Sequence, residues 1–213
     1  MILNEAQILA RLVDPDPERR IVITPIIKPE EQFGPTSLDL RLGTDFQVLK
    51  RSNMTHLDLI KNPVDLEKDV YRSMKRVKVA PTEPFVLHPG EFALATTLEF
   101  LKIPLDLAAR VEGRSTWGRL GLQIHATAGF VDPGFVGAIT YELSNVSLVP
   151  LPLYPGVRIA QICFFDAEKT NLPYGEKRFT KYSGKTSTAS SAFFRDPEYA
   201  RIRHALATQQ AGY

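Results

Sequence analysis

Residues 125–145 read H-A-T-A-G-F-V-D-P-G-F-V-G-A-I-T-Y-E-L-S-N. The last eight, Ala138–Asn145, alternate in character. Ala138, Thr140, Glu142 and Ser144 fall on one side, and Ile139, Tyr141 and Leu143 on the other. A period of two is the mark of a strand with one face on a core. Asp132-Pro133-Gly134 just before it is a turn, because proline presets φ and glycine accepts positive φ.

The same grammar extends both ways. Upstream lie Phe85–His88, the turn Pro89-Gly90, Phe92–Thr96 and a further strand at Ala108–Glu112. Downstream come Leu151–Tyr154, the turn Pro155-Gly156 and the apolar run Arg158–Phe165. Ser37-Leu38-Asp39-Leu40-Arg41-Leu42 alternates as well. Strands recurring every 8–12 residues or so with Pro-Gly turns predict a mainly β sandwich or barrel. The chain has 16 prolines in 213 residues, above the usual share of about 5%, and this spacing permits only short helices.

Two such helices are expected. One runs over Asn4–Leu12, with Asn4 as cap, Gln7 completing a capping box, and Ile8, Leu9 and Leu12 as the apolar face. The other runs from about Asp196 to Thr208. Residues 50–80 are polar and read as a loop with one short helix. After Glu168 the pattern fades into a Gly/Ser/Thr-rich stretch, Tyr182–Ser191. With no internal repeat and no domain boundary, residues 1–213 form one domain with a C-terminal tail, about 169–213.

Composition removes whole classes of function. At 44% hydrophobic and 23% charged, the chain is an ordinary globule. A net charge of +2 is too small for a partner that is a nucleic-acid polymer. Residues 166–213 are more basic, which fits an anionic ligand or a solvated surface equally well. The single cysteine, Cys163, excludes an internal disulfide. The opening M-I-L-N-E-A-Q-I-L-A-R-L lacks the marks of a secretory signal, and no stretch approaches about 18 apolar residues. These features predict a cytoplasmic protein without a membrane partner. The four histidines, His56, His88, His125 and His204, do not pair at ligand spacing, and C-x-x-C is absent, so no zinc is expected. Neither a G-x-x-x-x-G-K-[ST] loop nor a nucleophile elbow is present.

Four places can carry chemistry. Gly113-Arg114-Ser115-Thr116-Trp117-Gly118-Arg119 packs two guanidinium groups and two hydroxyls between glycines. Such a turn suits a triphosphate, since arginine binds phosphate oxygens in pairs and glycine lets the backbone approach; it also suits an exposed surface turn. Glu142 is a candidate general base if its strand face borders a pocket, and a solvated carboxylate if it does not. Asp132 is either a turn residue or a sugar contact. Tyr174, Lys181, Tyr182 and Lys185 give the tail the means to close over a nucleotide, or the look of an unstructured terminus.

Taken in order, several segments resemble the dCTP deaminase family of the dUTPase-like superfamily. They are F-G-P-T-S-L-D-L-R-L (33–42), F-V-L-H-P-G (85–90), V-E-G-R-S-T-W-G-R-L-G-L (111–122), residues 125–145, and P-G-V-R-I-A-Q-I (155–162). The resemblance implies a distorted β-barrel or jelly-roll of the dUTPase-like type with short peripheral helices. It implies a homotrimer with active sites at subunit interfaces, and magnesium bound through the nucleotide triphosphate. The zinc deaminases need a His/Cys set with a nearby glutamate, which agrees poorly with this chain.

By position, Glu142 matches the family's general acid/base, and Ser115 and Arg119 match phosphate ligands that help hold the attacking water. Arg114 and Thr116 belong to the same turn. Asp132, Thr140, Tyr141, Tyr174, Lys181 and Lys185 match substrate contacts. Ala128-Gly129-Phe130 resembles the bifunctional members, which deaminate dCTP and hydrolyse the triphosphate to dUMP, pyrophosphate and ammonia. There Ala128 and Gly129 are expected to leave room for a second water. The alternatives are a deaminase forming dUTP only, a dUTPase, and a non-catalytic nucleotide-binding trimer. The family also makes dTTP an expected inhibitor. Two departures stand out. The tail reads K-Y-S-G-K, with Lys185 where glutamine is usual, and Trp117 replaces a usual leucine.

Overall fold

The computed structural model describes residues 1–50, 55–58, 60–127, 129–176, 181–182 and 184–210. Helix α1 (Glu5–Leu12) begins at the expected capping box: the Gln7 N–H donates to Asn4 Oδ1, and the Asn4 N–H donates to Gln7 Oε1, both at 2.9 Å. Ile8 is fully buried, but Leu9 is 42% exposed. An eight-residue helix lying on a sheet turns only a narrow stripe inward, and the expected three-residue face is trimmed accordingly.

Strands dominate the rest. They are β1 (Val22–Thr24), β2 (Leu38–Leu49), β3 (Met74–Lys78), β4 (Phe85–Leu87), β5 (Phe92–Lys102) and β6 (Leu107–Gly113). β7 (Leu122–Gln123), β8 (Phe130–Val131), β9 (Val136–Asn145), β10 (Leu151–Leu153) and β11 (Arg158–Asp166) follow. The remaining helices are short: α2 (Pro29–Gln32), α3 (Pro63–Ser73), α4 (Ser115–Gly118) and α5 (Pro197–Gln210). Nine strands form one curled sheet, whose main path runs β7-β9-β5-β2-β11-β6-β8. β1 joins it at β5 and β3 at β2, while β4 and β10 make a separate ribbon. Every named pairing is antiparallel. This is the expected mainly β, half-barrel architecture.

β2 is the hub. Its first half pairs with β11 (Leu38↔Ile162) and its second half with β5 and β3 (Phe46↔Ala95, Phe46↔Val77). Leu38, Leu40, Leu42 and Phe46 are all fully buried, each contributing about 1.5–3 kcal/mol of apolar burial. β9 follows its alternation: Tyr141 and Leu143 point into the core, while Ala138, Thr140 and Glu142 are half-buried on the other face.

Residues 50–80 contain the expected short helix, α3, capped by Asn62, and depart from the loop reading in β3, whose register with β2 runs Asp45↔Lys78 to Leu49↔Met74. β3 reads M-K-R-V-K and is largely exposed. An edge strand with lysine and arginine resists pairing with other chains, and for the same reason lacks the apolar alternation of a strand. The expected C-terminal helix is present as α5. Among the described residues no helix is long and apolar enough to cross a membrane.

Candidate active site

A cavity of about 460 Å³ opens beside β9. Thr140 and Glu142 line it from the strand, Gly129 and Asp132 from the loop before it, and Tyr174 and Lys185 from the tail. Much of the remaining wall is apolar, with Leu94, Phe130 and Phe135 among it. Period two places Glu142 here, since Leu143 and Tyr141 on the other face are claimed by the core.

Glu142 is fixed at both main chain and side chain. Its N–H donates to Ile124 O at 2.8 Å, and its Oε2 accepts from the Ala126 N–H at 2.8 Å. A carboxylate held by a backbone donor in a partly apolar cavity is equipped to take and return a proton. Tyr174 packs against Phe135 at a ring separation of 5.8 Å. Burial, and then the charge of Asp132, raise its phenol pKa.

Gly129 also has a packing role. It is buried and lines the cavity, but a Cβ built on it would lie 2.7 Å from Val111 O and 3.3 Å from His125 Nε2. The Val111 N–H donates to Gly129 O at 2.8 Å. The glycine therefore lets the loop press onto β6, a side chain in that direction meeting backbone. Ala128 lies outside the described residues.

Tyr141 is a correction. Its ring is 1% exposed and sits in the core behind Glu142, so its side chain is no substrate contact. Burial, and then the charges of Glu99 and Asp39, hold its pKa well above the usual value. Lys181 is engaged elsewhere, in an ion pair with Asp196 at 3.0 Å, and does not line the cavity.

The expected phosphate turn also stands apart. α4 carries Ser115 and Thr116, Arg119 follows it, and all three are exposed and absent from the cavity wall. Arg114 belongs to a second, more open pocket with Lys28, Arg41, Trp117 and Arg158. There Asp39 Oδ2 receives Arg114 Nε at 3.2 Å and Arg158 Nη1 at 3.3 Å. Arg158 also pairs with Glu31 at 3.2 Å. Its carbonyl accepts from Arg114 Nη1 at 3.2 Å and Trp117 Nε1 at 3.0 Å. Beneath lies Glu99, fully buried. Its Oε2 accepts from the Arg41 N–H at 2.9 Å, and its Oε1 stands 3.7 Å from Arg41 Nη1. Burial pushes the Glu99 carboxyl up to about 7, against the opposing pull of Arg41. Four cations thus meet three carboxylates, leaving the pocket net positive.

Asp39, Arg41, Arg158 and Glu99 are absent from the sequence-based set. Asp39 and Arg41 stand in S-L-D-L-R-L and Arg158 in P-G-V-R-I-A-Q-I, segments that the resemblance already marks. What the segments alone do not show is that β2, β6 and β11 are neighbours in one sheet. Among the described residues, no group of three or more His, Cys, Asp or Glu is placed to hold a metal ion.

A curled antiparallel sheet with a carboxylate cavity and a separate arginine pocket defines a class, and the sequence comparison agrees: the chain belongs to the dCTP deaminase-like family, whose model matches residues 2–167. The dCTP deaminase, dUMP-forming, of Dictyoglomus turgidum is 46% identical over 193 residues, covering 90% of this chain and 94% of that protein. The protein of the same name from Methanobrevibacter smithii is 48% identical over 176 residues, covering 82% and 88%. The crystal structure of 2'-deoxycytidine 5'-triphosphate deaminase from Agrobacterium tumefaciens superposes with a TM-score of 0.57 at 24% identity, over 76% of this chain and 47% of that one; this is a likeness of fold.

Proposed function

We propose that this chain deaminates dCTP without zinc and carries the product on to dUMP. One dCTP and two waters give dUMP, pyrophosphate and ammonia. The observation that carries the reading is the Glu142 carboxylate, fixed by the Ala126 N–H at the wall of the cavity. Water adds to C4 of cytosine while Glu142 takes its proton. That proton is delivered to N3 as the C4=N3 double bond opens. The hydroxyl proton of the adduct then passes through Glu142 to the exocyclic amino group, the C–N bond breaks, ammonia leaves, and a C4 carbonyl beside N3–H remains. A second water attacks the α-phosphorus, and the bond to the bridging oxygen breaks to release pyrophosphate. The two relatives named as dUMP-forming support this second step.

Asp132 and Tyr174 suit the deoxyribose end, and Lys185 supplies a cation to the cavity. The triphosphate needs the arginine-rich turn, whose residues Ser115, Thr116 and Arg119 are exposed and do not line the Glu142 cavity. That separation supports a homotrimer in which one subunit supplies the cavity and a neighbour the phosphate turn. Magnesium enters with the substrate, on its triphosphate. dTTP shares the sugar and triphosphate and competes for the site.

The test is to incubate the protein with magnesium dCTP and resolve the products by ion exchange. dUMP and pyrophosphate without free dUTP are expected. dUTP with ammonia would restrict the activity to deamination; dCTP returned intact while dUTP is hydrolysed would overturn the role of Glu142. Light scattering should give a mass three times the 23.9 kDa chain.

A further inference from the structure

Asp45 lies on β2, its side chain only 10% exposed, and does not line the Glu142 cavity. Its oxygens are fully engaged. Oδ1 accepts from Arg76 Nε at 2.6 Å and Oδ2 from Arg76 Nη2 at 3.0 Å. Oδ2 also accepts from both the N–H and the hydroxyl of Thr188, each at 2.9 Å. Two residues on, and so on the same face of the strand, Gln47 grips the same stretch. Its amide nitrogen donates to Thr188 O at 3.0 Å, and its amide oxygen accepts from the Ser190 hydroxyl at 2.6 Å.

The other end of the stretch is pinned to β9. The Gly184 N–H donates to Val136 O, and the Ala138 N–H donates to Lys185 O, both at 2.8 Å. Gly137 between them has φ +148, and a Cβ there would stand 2.8 Å from Lys185 O, so only glycine allows this docking. At and next to these anchors, Lys185, Ala189 and Ser191 line the cavity together with Tyr182. The Tyr182 phenol oxygen accepts from the Ala192 N–H at 3.1 Å. Residues 184–191 are G-K-T-S-T-A-S-S. Such a segment buries too little apolar surface to order itself, and ordering each residue costs about 1–2 kcal/mol of backbone entropy. Polar anchors must hold it.

We propose that Asp45 is a positioning residue of the Glu142 site: through Thr188 it holds segment 184–191 along the cavity and so places Lys185 and Tyr182 against the nucleotide. This rests on reading that cavity as the nucleotide site. A purely architectural Asp45 would serve β2 and β3 through Arg76 alone, and Thr188 separates the two roles.

The experiment is a calorimetric titration with magnesium dCTP in the Glu142→Gln background, which reads binding without turnover. Thr188→Val keeps the Asp45–Arg76 pair and removes the hydroxyl donor. It should weaken dCTP binding about tenfold, the effect of losing one charge-assisted hydrogen bond, and speed amide exchange at residues 184–191. Thr188→Ser should bind within about twofold of the parent, since the hydroxyl remains. Asp45→Asn should weaken binding at least as much as Thr188→Val. Unchanged affinity in Thr188→Val overturns the proposal even if exchange is faster. A parent that does not bind dCTP overturns both the proposal and the nucleotide reading. Binding with no ammonia released by the unsubstituted protein overturns the reaction alone.

Discussion

The Glu142 cavity and the Arg114 pocket are built on opposite principles. The cavity is a mostly apolar recess whose wall carries a few polar groups: Glu142 held by a backbone N–H, Lys185 on the tail, Asp132 on a turn. The pocket is a knot of charges that satisfy one another, with Asp39 shared by Arg114 and Arg158, and Arg41 standing over Glu99. The first suits chemistry on a flat, weakly polar ring, where one placed carboxylate has the greatest effect. The second suits a polyanion, which can take over arginines already held in place. Tyr141 lies between them, backing Glu142 on β9 and within the fields of Glu99 and Asp39.

The sharpest way to break this contrast is at the catalytic carboxylate. Glu142→Gln keeps an acceptor for the Ala126 N–H but takes up no proton. Ammonia release should fall by roughly 10²–10⁴-fold, while thermal unfolding and the arginine pocket stay as they are. Initial rates of ammonia release from dCTP, beside melting curves, check it; substantial turnover in the variant would sink the mechanism.

Glu99 tests the other side. Its folded pKa, about 7, lies above the ordinary 4.5 of a glutamate, so the folded state holds this proton where the unfolded state has lost it. The stabilisation is present below about pH 4.5 and is lost as pH rises toward 7. Over that window it amounts to about 3 kcal/mol. Glu99→Gln carries no such proton. Urea unfolding at pH 5, 6, 7 and 8 should show the unsubstituted protein losing stability relative to the variant as pH rises. Parallel curves would show that Glu99 is charged throughout.

Arg114→Ala asks whether the pocket serves the triphosphate. It removes one guanidinium from Asp39 and leaves Arg158 in place. The loss of a charge-assisted contact, about 1.5–3 kcal/mol, should raise KM for dCTP roughly tenfold to a hundredfold. Binding of the monophosphate dCMP should be nearly unchanged, because the cavity is untouched. Equal losses for dCTP and dCMP would erase the distinction between the two regions.

Much of this arrangement is legible from residues alone. The alternation of 138–145 by itself separates Glu142 from Tyr141, and the capping box fixes α1. What stays hidden depends on partners far along the chain. β3 reads as loop because an exposed edge strand is selected for charge. Whether the tail is ordered stays open in the sequence, because its order comes from Asp45 and Gln47, some 140 residues away. The arginine pocket is invisible because it exists only where β2, β6 and β11 meet. Tyr141 teaches the reverse lesson: family position made it a substrate contact, and the strand period had already put it on the core side.

That residue supplies the smallest and most discriminating test. The Tyr141 hydroxyl is buried and makes no hydrogen bond to any described residue. An unmet buried hydroxyl costs about 1–3 kcal/mol. Tyr141→Phe removes it without changing the ring that fills the core. Stability should therefore hold or rise by about 1 kcal/mol, read as a small increase in urea midpoint, with KM and kcat for dCTP unaltered. A rise in KM without loss of stability would return Tyr141 to the substrate and place its hydroxyl in the cavity. A loss of stability would mean that the hydroxyl has a partner, with Glu99 and Asp39 the charges nearest to hand. In either case the core behind Glu142 would be polar, and the division between an apolar recess and a charged pocket would have to be redrawn at β9.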